Sequence, residues 1–345
     1  MTQNIESPQQ HAAFETFAQK PCLVMGATGF VGSHTVRQLV DGGRDVRVMV
    51  RDGSDTRALD GLSVQRYIGD IFDRDVMREA MTGCGTVFYS VVNAKSWLTD
   101  AAILYKTNVD GLRNALDVAI ECGVQRFIFT SSMATIASHH DRRATEADPY
   151  NWWDRAPDYI RSRVEAERLV LAAYAERGLD TVALCIANTY GPEDYQPTPH
   201  GGMLYQASRG RAGVAVNVGA PTVDIRDTAT AVLLAERYGR SGERYIIANE
   251  FVSQPDLYAL AAECGGAKPP RTVSYGFAYA VATVAEFISR LRGKKDFALC
   301  RSSVFLSYVF GDLDHSKATR ELGWTPRPIA ETVRDAIAWR RQLTK

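Results

Sequence analysis

The feature that most constrains the fold is a glycine-rich turn near the amino terminus. Gly26, Gly29 and Gly32 follow a short apolar segment, Cys22–Met25, and lead into a stretch whose apolar residues recur at helical spacing. Glycine at this junction lets a pyrophosphate approach the backbone, and the free N–H groups of the helix start then face the phosphates. The pattern predicts a dinucleotide site, the alternative being a tight turn that binds nothing.

Apolar segments and amphipathic helical segments alternate along the first 190 residues. The predicted strands are 22–25, 45–50, 64–70, 86–92, 126–132 and 180–190. This alternation predicts an α/β fold, a doubly wound parallel Rossmann sheet with a smaller C-terminal substrate lobe. The predicted organisation is a polar tail (1–20), a dinucleotide-binding domain (21–191) and a lobe that is mainly substrate-binding (192–345), with part of 216–250 returning to the sheet.

Composition excludes several classes of partner. The 40 basic and 40 acidic residues cancel, which gives no reason to expect nucleic acid. Six scattered cysteines without metal-type spacing, and a tail unlike a signal peptide, predict a cytoplasmic protein with no metal site. The apolar segment 275–288 is predicted to form a core-facing or pocket-capping helix. Because "RLRGKK" follows it, peripheral membrane contact is the alternative.

The end of the second strand separates the two nicotinamide dinucleotides. An acidic residue there would bind the adenosine ribose, but this chain has Arg51, with Arg57 close behind. A guanidinium suits a 2′-phosphate, so NADP(H) is favoured and NAD(H) remains possible. The alternative is that Arg51 is a solvated loop charge. Asp70, after the third strand, is placed to meet the adenine edge.

Several longer motifs carry a family resemblance. "GATGFVG", "GDIFD", "TNVDGLRNALDVA", "RFIFTSS", "NTYGP" and "VDIRDTATAVLLA" resemble the extended short-chain dehydrogenase/reductase family, also called the NAD-dependent epimerase/dehydratase family. The resemblance covers residues 22 to about 341 and is strongest to dihydroflavonol 4-reductase-like and hopanoid-associated sugar epimerase-like members. It implies an enzyme that binds a nicotinamide dinucleotide and forms a homodimer, here through helices near 100–122 and 159–178.

The resemblance implies a catalytic serine, tyrosine and lysine. The serine falls on Ser132, with Ser131 beside it as a weaker candidate that contacts substrate, and the tyrosine falls on Tyr159. The lysine position holds Arg163, one helical turn after the tyrosine. A cation there lowers the pKa of a phenol, but arginine does not deprotonate and cannot relay a proton. Altered chemistry is therefore favoured over complete loss.

Other candidate residues follow from the same comparison. Asn108 matches a family asparagine or else caps a helix. His200, in the loop after the sixth strand, and Trp97 are candidate substrate contacts, and Trp152, Trp153 and Tyr150 line a pocket or pack in the core. The predicted cofactor contacts are Gly26, Thr28, Gly29, Phe30, Val31, Gly32, Arg51, Asp70, Ile71, Ser90, Tyr159, Arg163, Ala187, Asn188 and Thr189.

Three functions remain open on these residues. The first is an NADP-dependent reductase or dehydrogenase acting on a small carbonyl/alcohol substrate, with Tyr159 as acid-base, Ser132 orienting the carbonyl and Arg163 supplying positive charge. The second is an epimerase that retains its cofactor and acts on a sugar- or isoprenoid-linked substrate. The third is a dinucleotide-binding protein with little catalysis, which only the Arg163 substitution supports.

Overall fold

Seven parallel strands form the central sheet in the computed structural model, which describes residues 14, 16–95, 100–291 and 301–343. The strands of the described residues are β1 (Cys22–Met25), β2 (Val46–Val50), β3 (Gln65–Ile68), β4 (Thr86–Tyr89), β5 (Arg126–Ser132), β6 (Thr181–Ile186), β7 (Asn188–Tyr190), β8 (Val214–Val216), β9 (Gly219–Asp224), β10 (Glu243–Ile247), β11 (Phe251–Ser253) and β12 (Arg271–Val273). The order β10-β6-β5-β4-β1-β2-β3 confirms the predicted doubly wound fold.

Helices cover both faces of this sheet. The helices that follow β1 in the described residues are α1 (Phe30–Asp41), α2 (Arg74–Met81), α3 (Ala101–Tyr105), α4 (Gly111–Glu121), α5 (Asp158–Arg177), α6 (Pro199–Ser208), α7 (Ile225–Tyr238), α8 (Gln254–Gly265), α9 (Tyr275–Leu291), α10 (Arg301–Val309), α11 (Ser316–Leu322) and α12 (Ile329–Leu343). One core cluster joins β-strand residues to α1, α7 and α11, and a second joins them to α2, α4 and α5. Apolar burial on both faces explains why the inner strands β1, β4 and β6 are buried at every residue.

The predicted strand 180–190 is wrong in one respect, because it is two strands. β6 ends at Ile186, and the Ala187 N–H then donates to the Ile247 carbonyl of the large sheet. Asn188–Tyr190 leaves that sheet and pairs with β9, which also pairs with β11. Within residues 216–250, Gly219–Asp224 therefore belongs to the small sheet and Glu243–Ile247 to the large one.

The C-terminal part has its own apolar cluster, which joins α6, α8 and α12. Helix α9 packs against α10. The expectation of a core-facing or pocket-capping helix over 275–288 is wrong, because large apolar side chains of α9 such as Phe277 and Phe287 are exposed. No helix in the described ranges is long and apolar enough to cross a membrane.

Candidate functional site

The predicted site residues lie along one edge of the central sheet. All seven strands are parallel, so their carboxyl ends meet at this edge, where ligands of such sheets bind. Helix α5 packs against β5 and against the turn Met133–Thr135, which brings Tyr159 and Arg163 to the same region. The predicted residues at or just beyond the ends of β1 to β6 are Gly26, Arg51, Asp70, Ser90, Ser132 and Ala187.

The turn between β1 and α1 has room only for glycine at two positions. Gly26 has a φ of +82°, and a Cβ there would lie 2.7 Å from the carbonyl carbon of Ser90. A Cβ at Gly32 would overlap the carbonyl oxygen of Gly26. Both glycines therefore let the turn approach the backbone that follows β4 and let α1 start close beneath it.

The start of α1 has the properties of an anion site. Gly29 precedes the helix and has no side chain to cap its free N–H groups, and the first turn contains no acidic residue. Those N–H groups have no acceptor within the helix and carry partial positive charge. Thr28, Phe30 and Val31 flank them and are half-buried. This glycine cradle and uncapped helix start fit the pyrophosphate of a dinucleotide.

The two arginines after β2 differ in their availability. Arg51 is exposed, and its guanidinium makes no hydrogen bond or ion pair with any described residue. Arg57 donates to the Asp55 carboxylate (Nη2 to Oδ2, 2.6 Å), and this pair lowers the pKa of Asp55 to about 2. Arg51 is thus the arginine whose guanidinium is available to an anionic ligand.

Residues 192–196 connect the glycine turn to the loop after β2, and none of them was among the predicted site residues. The Gln196 amide donates to the carbonyl oxygens of Thr28 (3.3 Å) and Asp55 (3.2 Å), which joins the glycine turn to the loop after β2. His34 of α1 donates through Nε2 to the Pro192 carbonyl at 3.1 Å. No local pattern could have revealed these contacts, because the partners of residues 192–196 lie more than 100 residues away in the sequence.

Asp70 and Ile71 lie beyond β3, on the other side of β2. Asp70 is exposed, and its carboxylate accepts from the Phe72 N–H at 3.1 Å. Ile71 is buried, and its side chain fills the space beside Gly111 of α4. Asp70 therefore presents a hydrogen-bond acceptor at the carboxyl edge of the sheet, whereas Ile71 contributes an apolar surface.

Ser132 ends β5 and remains half-exposed. Its Oγ accepts a hydrogen bond from the Ala134 N–H at 3.2 Å, which caps the turn Met133–Thr135. The hydroxyl proton is left to donate to another acceptor. This geometry holds the oxygen at the carboxyl edge of the sheet with its donor function intact.

Arg163 is buried, with 2 % of its surface exposed. Its Nη2 donates to the Thr130 carbonyl at 2.6 Å, and its guanidinium lies 5.1 Å from the centre of the Phe129 ring. Nε and Nη1 are also buried and have no partner among the described residues. The Tyr89 hydroxyl is a second buried group of this kind, near enough for Arg163 to oppose the rise that burial causes in its pKa.

Tyr159 precedes Arg163 by one turn of α5. Burial raises the pKa of its phenol above the ordinary value, and the Arg163 charge acts in the opposite direction. The spacing of Tyr159 and Arg163 predicts that the cation dominates, whereas in this structure the effect of burial is larger. At neutral pH the phenol is therefore protonated and able to donate.

Beneath Ser132 lies a buried carboxylate that sequence reasoning missed. Glu167 Oε2 accepts from Ser131 Oγ (2.5 Å) and Thr135 Oγ1 (2.7 Å), and Oε1 accepts from the Arg244 guanidinium (3.0 Å). The Ser131 hydroxyl is buried and engaged in this network, so a substrate contact by Ser131, which stays a prediction, would have to replace the bond to Glu167. Glu167 fixes the residues on both sides of Ser132. The sequence signal for Glu167 was its position four residues after Arg163, which places both side chains on the same face of α5.

Asn108 does not cap a helix, so that alternative is wrong. It lies in a π-helical turn, Lys106–Asp110, between α3 and α4 and is buried. Its amide accepts from the Asn93 N–H (2.7 Å) and donates to Ser162 Oγ (3.0 Å). Asn108 thereby ties the segment after β4 to α5, the helix that carries Tyr159.

The remaining candidate site residues differ in their position and burial. His200 lies in the first turn of α6 and not in a loop, because Thr198 caps a helix that begins at Pro199. Trp97 lies outside the described residues. Asn188 and Thr189 lie in β7 and are half-buried. Trp152 is a core residue, since it is buried and donates to the Ile136 carbonyl at 3.1 Å.

An apolar wall surrounds Tyr159. Tyr159 packs in one cluster with Trp152 and Ile160 and with Phe305 and Leu306 of α10. We call this cluster the apolar wall. It gives the environment of the phenol a low polarity, which is the cause of its raised pKa.

Residues 22–248 match the model of the NAD dependent epimerase/dehydratase family. The chain belongs to this family. It is accordingly an oxidoreductase that depends on a nicotinamide dinucleotide, and the predicted family resemblance is confirmed.

Members of the family resemble the chain over nearly its whole length. It is 33% identical over 323 residues to a candidate dihydroflavonol 4-reductase of Synechocystis sp., covering 92% of this chain and 93% of that protein. It is 30% identical over 324 residues to sterol demethylase protein B of Methylococcus capsulatus, covering 93% and 98%. The crystal structure of gox2253 superposes with a TM-score of 0.83 at 33% identity, covering 93% of this chain and 98% of that one.

Proposed function

We propose that this family member is an NADP(H)-preferring oxidoreductase that interconverts a ketone and a secondary alcohol on an apolar substrate. The observation that carries the proposal is the pairing of a half-buried, protonated Tyr159 with the buried Arg163 guanidinium at the carboxyl edge of the sheet. Reduction of a ketone needs a proton donor at the carbonyl oxygen, and Tyr159 meets that need at neutral pH.

The dinucleotide would be held by groups already described. The glycine cradle and the first N–H groups of α1 suit its pyrophosphate. The unpartnered Nε and Nη1 of Arg163 are donors suited to ribose hydroxyls, which accept hydrogen bonds. When bound, the nicotinamide supplies or accepts the hydride.

Proton chemistry falls to the chain itself. In the reducing direction the Tyr159 phenol gives its proton to the substrate oxygen while Ser132 Oγ donates a hydrogen bond to the same atom. The phenolate that remains is stabilised by the Arg163 charge. Because arginine cannot release a proton, Tyr159 must recover its own from water.

Preference for NADP(H) follows from Arg51. Its exposed guanidinium has no intramolecular partner in the described part of the chain, and no acidic residue occupies the end of β2. A planar guanidinium binds a phosphate through paired hydrogen bonds, as the adenosine 2′-phosphate requires. We expect Arg51→Glu to weaken NADPH binding about a hundredfold or more by charge reversal, with little effect on NADH.

An apolar substrate follows from the apolar wall. Aromatic and aliphatic side chains around Tyr159 favour a ligand that presents hydrocarbon to them, with the carbonyl as its polar end. The similarity to sterol demethylase protein B supports a polycyclic or isoprenoid ketone as the first class to test.

The decisive test measures cofactor binding and turnover in sequence. Purified protein is titrated with NADPH and NADH, and then assayed with a panel of sterol-like, isoprenoid and small aromatic ketones. We expect tighter NADPH binding and turnover of an apolar ketone that is lost in Tyr159→Phe. Tyr174→Phe is the matched control, since Tyr174 is an exposed tyrosine at the other end of α5.

Two results would contradict the proposal. Equal or tighter binding of NADH would remove the role of Arg51. Undiminished turnover in Tyr159→Phe would remove the acid-base role of the phenol. A dinucleotide that stays bound through purification, with epimerisation and no net NADPH oxidation, would identify an epimerase instead.

A further inference from the structure

Helix α9 presents large apolar side chains to solvent. Phe277, Val284 and Phe287 are 59%, 58% and 63% exposed, and Val281 and Ile288 are also exposed. Positions 277, 281, 284 and 288 recur at the helical period, so these side chains share one face. We call them, with Phe287, the apolar face of α9.

The packing of α9 uses a different and narrower stripe. Ala278, Ala282, Ala285 and Ser289 recur at the same period one residue along, and Ala282 and Ser289 are buried. The helix contacts α10. Small residues thus face the protein while large apolar ones face outward, the reverse of an ordinary surface helix. A contiguous exposed patch of this kind marks a surface that binds something.

Basic residues flank α9 in the sequence on both sides. Lys268 and Arg271 precede α9 and are exposed, and the sequence over 290–295 is RLRGKK. The single acidic residue of α9, Glu286, accepts hydrogen bonds from Arg301. The chain as a whole has no net charge, so this concentration is local.

This charge pattern decides which occupant fits. In a two-fold contact between copies, α9 helices that cross antiparallel would place the basic end of each beside the basic end of the other. A bilayer with anionic lipids complements both the apolar face and its basic ends.

We propose that the apolar face of α9 binds the surface of an anionic membrane, with the helix lying in the plane of the interface. Phe305 and Leu306 of α10 belong to the apolar wall around Tyr159, and α10 is also the helix that α9 contacts. Membrane binding would therefore place the wall near lipid, a route for a lipid-soluble ketone. That consequence rests on the proposed function, whereas the membrane contact itself does not.

The test is sedimentation with vesicles of phosphatidylcholine containing one quarter phosphatidylglycerol. We expect the full-length protein to sediment with them, to bind pure phosphatidylcholine more weakly, and to dissociate as NaCl rises from about 0.05 M to about 0.5 M. The affinity of the double variant Phe277→Ser/Phe287→Ser for these vesicles should be lower than that of the wild type by about tenfold or more. Ile103→Ser, which changes an exposed apolar residue of α3, should bind like the wild type.

Two further measurements distinguish membrane binding from misfolding of the double variant and from self-association of the protein. Phe287→Trp, studied with vesicles of brominated lipid, should show quenching of the new tryptophan beyond that of the wild type. Absence of vesicle binding by the wild-type protein, or equal binding by the double variant, would overturn the proposal. So would light scattering that shows a wild-type dimer and a monomeric double variant, because the face would then join two copies.

Discussion

Replacing Arg163 with methionine separates a catalytic charge from a structural one. The guanidinium is 2 % exposed and makes one hydrogen bond, to the Thr130 carbonyl at 2.6 Å. It also lies over the Phe129 ring, but Nε and Nη1 have no partner among the described residues. Methionine fills a similar volume with an apolar chain and leaves Tyr159 in place.

The expected change in stability is small because large contributions oppose each other. Losing a hydrogen bond from a charged donor costs about 1.5–3 kcal/mol, and losing a desolvated cation–π contact costs about 2 kcal/mol. Removing an incompletely paired buried charge returns several kcal/mol of desolvation free energy. We therefore expect the free energy of unfolding of Arg163→Met to lie within about 2 kcal/mol of the wild-type value.

Activity should respond far more strongly than stability. Without the cation, the pKa of Tyr159 rises further, because the Arg163 charge opposes the effect of burial. The phenolate needed for alcohol oxidation then forms less readily at a given pH, so the rate of oxidation falls by about a hundredfold and its pH profile moves to higher pH. Arg163→Lys keeps the charge and should restore most of the activity.

Two measurements check this reasoning. Urea denaturation gives the free energy of unfolding, and nicotinamide absorbance gives the rate of alcohol oxidation between about pH 6 and pH 10. A loss of stability above about 4 kcal/mol would show that Arg163 is a fully satisfied structural ion. An unmoved pH profile in Arg163→Met would show that its charge does not act on Tyr159.

Three further predictions concern the supports of the site. Gly32→Ala should abolish dinucleotide binding and lower the free energy of unfolding by about 1–3 kcal/mol, because its Cβ would overlap backbone; calorimetric titration and urea denaturation measure both. In the control Gly202→Ala the Cβ meets open space within α6, so stability should rise by about 0.5–1 kcal/mol, and a loss there would contradict the packing argument. Glu167→Gln should cost about 3 kcal/mol in urea denaturation, because it leaves a partly buried arginine without its counter-charge; a neutral result would place that arginine in solvent. Burial lowers the pKa of His34 to about 4, so its contribution is present above about pH 6.5 and is lost as pH falls toward 4. Stability should fall by about 3 kcal/mol over that interval, and His34→Asn should flatten the decline.

Local sequence determined the elements that depend on neighbouring residues. The β1–glycine–α1 unit follows from Gly26 and Gly32, because the backbone there tolerates no Cβ. The order of strands and helices follows from apolar periodicity. The family resemblance, and not periodicity, singled out Ser132, Tyr159 and Arg163. Periodicity of this kind is visible within a window of about 11–18 residues.

Tertiary structure alone decided the remaining features. Gln196 bonds to Thr28 and Asp55, and Glu167 pairs with Arg244, across separations that no local pattern encodes. The sequence also did not determine which face of an apolar helix is buried, since α9 buries Ala282 and exposes Phe277 and Phe287. The balance between burial and the Arg163 charge at Tyr159 also depended on packing, because desolvation is a property of everything that surrounds a group.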